Sequence, residues 1–211
     1  MALGNKLETT YLSIVGDKIV KRTDAKDPRG IERINKNGDT VHEIPYDFVE
    51  GRLESVAVKD GEYGKQWILQ MIDAGKRYTL QLPYSGGFTK SFLMALPNTD
   101  LTKSVKLNPY QREKDGKKRN TLYVNQGGKE SVRWAYTKDA PNGLPQMEQI
   151  MVKGVLTWDG SKQLIFLEQM VKEKFAAQQH ASVVDDFCEQ EHTDTPEPEH
   201  APDNPGDDLP F

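Results

Sequence analysis

Between Lys106 and Asn125 the chain sets aromatic and cationic side chains at alternating positions on either side of Asp115-Gly116. Asp-Gly is the dipeptide of a tight hairpin turn. A hairpin centred there places Arg112 opposite Arg119, Tyr110 opposite Thr121, Asn108 opposite Tyr123 and Lys106 opposite Asn125. Strand side chains alternate between faces, so these residues share one side and Val105, Leu107, Leu122 and Val124 share the other, which must be the core. The outer face carries Tyr110, Tyr123, Lys106, Arg112 and Arg119, with Lys114, Lys117 and Lys118 at the tip. Such a face suits a single-stranded nucleic acid. Bases stack on aromatic rings at ~1–3 kcal/mol per base, while Lys and Arg follow the phosphates. The alternative is that the two tyrosines stabilise the ribbon by cross-strand packing.

Other candidates are more scattered. A second hairpin, around Ala74-Gly75, gathers Trp67, Leu69, Met71, Tyr78, Leu80 and Leu82 on one face. Trp67 is therefore expected in the core. The opposite face is more polar, and Gln70, Arg77 and Thr79 on it suit nucleic-acid contacts. Tyr63 and Lys65 lie in or beside the preceding loop, and Arg133 and Trp134 alternate on an expected later strand. Trp158 is assigned to packing.

No catalytic constellation emerges. His42, His180, His192 and His200 form no metal-binding helix motif, and no Cys/His spacing suits zinc. Gly86-Gly87 lacks the Lys-Ser/Thr of a phosphate loop, and Ser85 lacks the glycine frame of a nucleophile elbow. Asp47, Glu50 and Glu54 could hold Mg²⁺ in a nuclease, but a solvated carboxylate face explains them more simply. No cofactor is expected.

The elements that must position these residues are mostly strands. Thr10 to Val15 and Lys18 to Lys21 flank Gly16-Asp17 as an N-terminal hairpin. Residues 24–39 hold many charges, glycines and Pro28, and read as a loop. Tyr46 to Val58 reads as one long strand through Phe48, Leu53, Val56 and Val58. Gln66 to Ile72 and Arg77 to Leu82 form the second hairpin. A helix over Gly87 to Leu96 follows, with Phe88, Phe92, Ala95 and Leu96 on one stripe, Ser85 as N-cap and Pro97 as stop. Strands over Lys103 to Arg112 and Arg119 to Asn125 come next, then one over Val132 to Tyr136. Met147 to Trp158 is β-like, with a turn at Asp159-Gly160. Leu164, Leu167, Val171 and Phe175 fit a closing amphipathic helix, although the pattern leaves strand and helix both open for residues 160–168.

From Tyr46 the order is three strands, a helix and two strands. This predicts a mainly β, OB-fold-like five-stranded barrel with a helix between strands three and four, an added N-terminal hairpin and a C-terminal helix.

Charge divides the chain. The net charge is −4, yet ten of the 32 acidic residues follow Lys174, the last cation. Residues 1–174 therefore hold 22 acids against 28 Lys and Arg, a body of about +6. From Glu189 to Asp208, four prolines and repelling carboxylates leave too little apolar surface to offset ordering entropy. The expected division is a nucleic-acid-binding domain over residues 1–180 and a disordered acidic tail over 181–211. No stretch is long and apolar enough for a membrane helix, the N-terminus lacks a secretion core, and Cys188 is the only cysteine. A reducing, cytoplasmic setting without membrane contact is expected.

The chain ends in Gly206-Asp207-Asp208-Leu209-Pro210-Phe211. This resembles the C-terminal tip of bacterial and phage single-stranded DNA-binding proteins, in which aspartates precede Ile or Leu, Pro and Phe. The resemblance implies that Asp207 and Asp208 meet a basic rim on replication or recombination proteins, while Leu209, Pro210 and Phe211 enter an apolar pocket. The body departs from the usual bacterial member. It has an extra hairpin, a longer C-terminal part and no long Gly/Gln-rich linker, which favours a diverged phage member and a monomer or dimer over a tetramer.

The expected function is non-sequence-specific single-stranded DNA binding in replication, recombination or repair, without enzymatic activity. Tyr110 and Tyr123 would stack on bases. Lys106, Arg112, Lys117, Lys118, Arg119 and Arg77 would neutralise phosphates, supported by Lys65, Arg133 and Trp134. RNA stays open, because stacking and phosphate contacts do not read the 2′-hydroxyl. The competing expectation is a protein-interaction adaptor that works through its acidic tail alone.

Overall fold

The computed structural model describes residues 8–35, 37–61, 64–114, 116–128 and 131–190, with side chains described as far as Ala177 except that of Lys114. Contacts divide the chain into two units, Met1–Ala176 and Ala177–Phe211. The first is mainly β. Its strands are β1 (Thr9–Val15), β2 (Lys18–Thr23), β3 (Ile31–Ile34), β4 (Thr40–Tyr46), β5 (Val49–Gly61), β6 (Gly64–Asp73) and β7 (Lys76–Pro83). Helix α1 (Gly87–Ala95) follows, then β8 (Ser104–Lys114), β9 (Lys117–Asn125), β10 (Glu148–Val152), β11 (Val155–Asp159) and α2 (Ser161–Gln190).

Nine strands make one curled, half-barrel sheet in the order β3-β4-β2-β1-β7-β6-β5-β8-β9. The five strands read from the sequence thus lie side by side in a larger sheet. Hairpins β6–β7 and β8–β9 have the expected registers, with Trp67 opposite Leu82 and Tyr110 opposite Thr121. The free edge of β7 is taken by β1, which runs parallel to it from Thr9–Arg77 to Leu12–Leu80. The edge of β9 is also covered. Leu122 N–H donates to Ser91 Oγ of α1 at 2.7 Å, and Val132 N–H donates to Val124 O at 2.7 Å.

The core lies inside the curl. Trp67, Leu69, Met71, Leu80, Leu82, Leu107 and Leu122 are buried there with Phe92, Leu93 and Leu96 of α1 and Leu167 and Val171 of α2. Each such side chain contributes ~1.5–3 kcal/mol on burial. Gly87 lets α1 settle directly on β9, since a Cβ there would collide with the carbonyl oxygen of Asn120.

Several expectations are corrected. Residues 24–39 are not all loop: Ile31–Ile34 pairs with β4 as β3. The long strand begins at Val49, while Tyr46 closes β4. A bulge between Leu53 and Ser55 shifts the alternation, so Val49, Leu53 and Val56 all face the core and Phe48 does not. The N-cap of α1 is Gly86 and not Ser85, without a side-chain cap. No strand spans Val132 to Tyr136; Ser131 makes a single bridge to Asn125, and the segment beyond is held by Ala135 N–H on Met94 O. Residues 147–158 form a hairpin that turns at Lys153 (φ 51°) and Gly154 (φ 80°). Asp159 instead ends β11 just ahead of α2, its carboxylate accepting from Ser161 N–H at 2.9 Å. Trp158 is not packed; it is 60% exposed. The open choice for residues 160–168 resolves as helix from Ser161 onward, and α2 continues to Gln190. No Gly or Pro interrupts the sequence from Ser161 to Gln190, so nothing local stops it.

Candidate nucleic-acid interface

Strand β8 pairs with β5 only from Ser104 to Leu107. Beyond that point β8 and β9 continue as a two-stranded ribbon to Lys114 and Lys117. Pro109 supports this arrangement, because it offers no N–H to any strand that might add beside β8. Leu107, Leu122 and Val124 anchor the inner face in the core. Just past the end of β9, Gln126 clamps the base of the ribbon. Its amide donates to Asp100 O at 2.6 Å and accepts from Asp100 N–H at 2.9 Å.

The outer face holds Tyr110 and Tyr123, 48% and 39% exposed, with ring centroids 6.0 Å apart and planes tilted by 48°. The geometry is compatible with cross-strand packing and leaves ring surface exposed. The rings touch across the strands, and each still presents surface to solvent. Arg112 lies directly opposite Arg119, and both are exposed. Like charges in register repel. Among the described residues no carboxylate forms an ion pair with Arg112, Lys117, Lys118 or Arg119.

Lys106 Nζ sits 3.5 Å from the centroid of the Phe48 ring, and Phe48 is 43% exposed. Phe48 extends the aromatic surface beyond the two tyrosines, whereas the sequence pattern places it among the apolar residues of a long strand. Parity was the available signal: residues 48 and 53 cannot share a face of an unbroken strand. Asn108 stands opposite Tyr123, and its Oδ1 is buried without a hydrogen-bond partner.

The remaining candidates are dispersed. Lys118 alternates with Lys117 and Arg119, so it faces the ribbon's other side, opposite Glu113. Arg77 pairs with Glu54 at 3.2 Å, Gln70 accepts from Ser55 Oγ at 3.0 Å, and Thr79 is buried beside Tyr11. Part of that face's polar surface is thus engaged within the sheet, although Arg77 Nε, at salt-bridge distance from Glu54, is buried without a hydrogen bond. Trp67 is buried, stacks on Tyr84 at 6.2 Å and donates from Nε1 to Tyr84 O. Lys65 lies 5.5 Å over the Tyr84 ring. Burial and the neighbouring Glu168 carboxylate push the Tyr84 hydroxyl pKa up. Arg133 and Trp134 are exposed on an irregular segment, where Asn98 Nδ2 holds Arg133 O at 2.9 Å. Tyr63, the turn residue Asp115, and the tip Asp207 to Phe211 lie outside the described residues.

Among the described residues no group of three His, Cys, Asp or Glu side chains is placed to hold a metal ion, and no helix is long and apolar enough to cross a membrane. No protein-family model, no curated protein and no solved structure matches the chain.

Proposed function

We propose that this chain binds single-stranded DNA without reading its sequence, acting by binding and not by catalysis, in replication, recombination or repair. The observation that carries the reading is the outer face of β8–β9. Tyr110 and Tyr123 stand exposed and adjacent, flanked by Lys106 and by Arg112 and Arg119, which form no ion pair among the described residues. A strand laid along this face stacks bases on the rings and sets phosphates near the cations. Strand order supports an OB-like reading of β5 to β9. The helix falls between the third and fourth of these strands, and their spatial order is β7-β6-β5-β8-β9. The acidic end, Asp207 to Phe211, would recruit partner proteins of the replication or recombination machinery.

The test is a titration of oligothymidylate and duplex DNA with the full chain at two salt concentrations. Single-strand binding should weaken steeply with salt through counterion release. Equal or tighter binding to duplex overturns the reading.

One observation favours the adaptor alternative. Met151, Leu156 and Trp158 share a face of β10–β11 and are each at least 60% exposed. Deleting residues 181–211 separates the two readings. A DNA binder keeps its affinity and loses its partners, whereas an adaptor shows no DNA affinity before or after.

A further inference from the structure

The inner side of the ribbon tip borders a cleft of about 770 Å³ that the aromatic face does not include. Its floor is apolar, made by Ile14, Leu82 and Phe88. Its walls carry the amides of Gln66, Gln81, Gln111 and Asn120. Its rim holds the cations Lys65 and Lys118, and Arg33 enters from β3. The amides are only partly used. Gln111 Nε2 donates to Asn120 Oδ1 at 2.8 Å, which leaves Gln111 Oε1 and Asn120 Nδ2 without a described side-chain partner. Arg33 is held in place by a bidentate pair with the buried Glu43, at 2.8 and 2.9 Å.

An apolar floor, amide walls and a cationic rim match the three parts of a nucleotide. The flat base meets the floor. Its edge carries both donors and acceptors, which an amide side chain can meet in either sense. The phosphate meets the rim. Amides that offer donor and acceptor together accept any base, so the cleft adds affinity without adding sequence preference.

Continuity with the first surface comes from the alternation of the tip. Lys117 and Arg119 point to the tyrosine side, and Lys118 points to the cleft side. We infer that the amide-lined cleft is a second subsite for single-stranded nucleic acid, reached by a strand that passes from the tyrosine face over the ribbon tip. This inference rests on the single-strand reading proposed above and names where the bound strand continues.

The experiment uses the full chain and oligothymidylates from about 4 to about 16 nucleotides, the range of strand lengths that single binding modules occupy. Gln66→Ala/Gln81→Ala should weaken the longest oligomers about fivefold to tenfold, as expected when two hydrogen bonds are removed, and leave the shortest within about twofold. Tyr110→Ala/Tyr123→Ala should weaken every length. An oligomer of full length whose second half is abasic should bind wild type and Gln66→Ala/Gln81→Ala alike. A photo-crosslinking residue at Gln81 should capture long oligomers and not the shortest. The inference is overturned if the glutamine variant binds all lengths like wild type and the probe at Gln81 captures none. Wild type that binds no oligomer, or binds duplex equally, overturns the underlying single-strand reading and the cleft with it.

Discussion

The chain contains two β-ribbons that differ in what lies behind them. β8–β9 buries Leu107, Leu122 and Val124 on its inner face and shows aromatic and cationic groups outside. β10–β11 is a separate two-stranded sheet with exposed apolar groups on both faces: Met151, Leu156 and Trp158 on one, Ile150, Val152 and Val155 on the other. A hairpin with no buried face is marginally stable by itself. The first ribbon is rigid at its base, so its outer residues can be arranged in advance of a ligand. Preorganisation of that kind lowers the entropy cost of binding. The second has apolar surface to bury and no comparable anchor. Secondary structure alone does not make a binding platform; the packing of the hidden face does.

The largest effect expected from this contrast is on affinity. Tyr110→Ala/Tyr123→Ala should weaken oligothymidylate binding at least about 30-fold, because the two rings proposed to stack on bases are removed. Fluorescence anisotropy measures this, and an unchanged Kd would reassign the tyrosines to ribbon packing alone. Next comes the anchor. Ser91→Ala leaves the buried Leu122 N–H without its acceptor and should cost about 1–3 kcal/mol in urea unfolding. A cost near zero would mean that the ribbon does not depend on α1.

A smaller, diagnostic effect concerns salt. Arg112→Ala/Arg119→Ala should make the slope of log K against log salt shallower by about 0.7 for each phosphate no longer neutralised. An unchanged slope would remove both residues from the interface.

The base clamp supplies a pH test. Hydrogen bonds from the Thr102 hydroxyl, Lys103 and Thr102 N–H pull the Asp100 carboxyl pKa down to about 2 from its ordinary 3.8. A carboxylate depressed in the fold stabilises it above the ordinary pKa and loses that contribution as pH falls toward the lowered one. Urea midpoints of wild type and Asp100→Asn should therefore differ at neutral pH and converge near about pH 2. A constant difference would mean that the Asp100 carboxylate adds no charge-dependent stability. The smallest expected change is in the second ribbon, where Met151→Ser/Leu156→Ser/Trp158→Ser should leave oligothymidylate affinity within about twofold, because exposed positions away from a site are nearly neutral. A large loss there would bring β10–β11 into the proposed DNA interface.

The short-range features of this fold were readable, since local chemistry determines them. The two hairpin registers follow from Ala74-Gly75 and Asp115-Gly116 together with strict alternation. The stripe of Phe88, Phe92, Ala95 and Leu96 marks α1. What escaped reading depends on contacts between distant segments. Nothing near Thr9 announces that it will run parallel to Arg77, and nothing near Ser91 announces a bond to Leu122. Asp159-Gly160 resembles a turn because Asp serves both turns and helix N-caps, and only the following helix decides between them. Phe48 escapes the pattern because a bulge several residues later resets the alternation. The aromatic pair of the candidate site was legible; Phe48 and the cleft behind Lys118 required the sheet to curl first.

The missing side chain at Gly87 has a mechanical consequence. With Gln126 tying Asp100 at the root and α1 resting on the Asn120 backbone farther out, the ribbon is a cantilever propped partway along and loaded at its tip. Amide hydrogen exchange should be slow at Leu122 and Val124 and quicken toward Lys117. Pushing the prop away with Gly87→Ala would tilt the beam, and the two tyrosines would lose their common bearing before the sheet itself came apart.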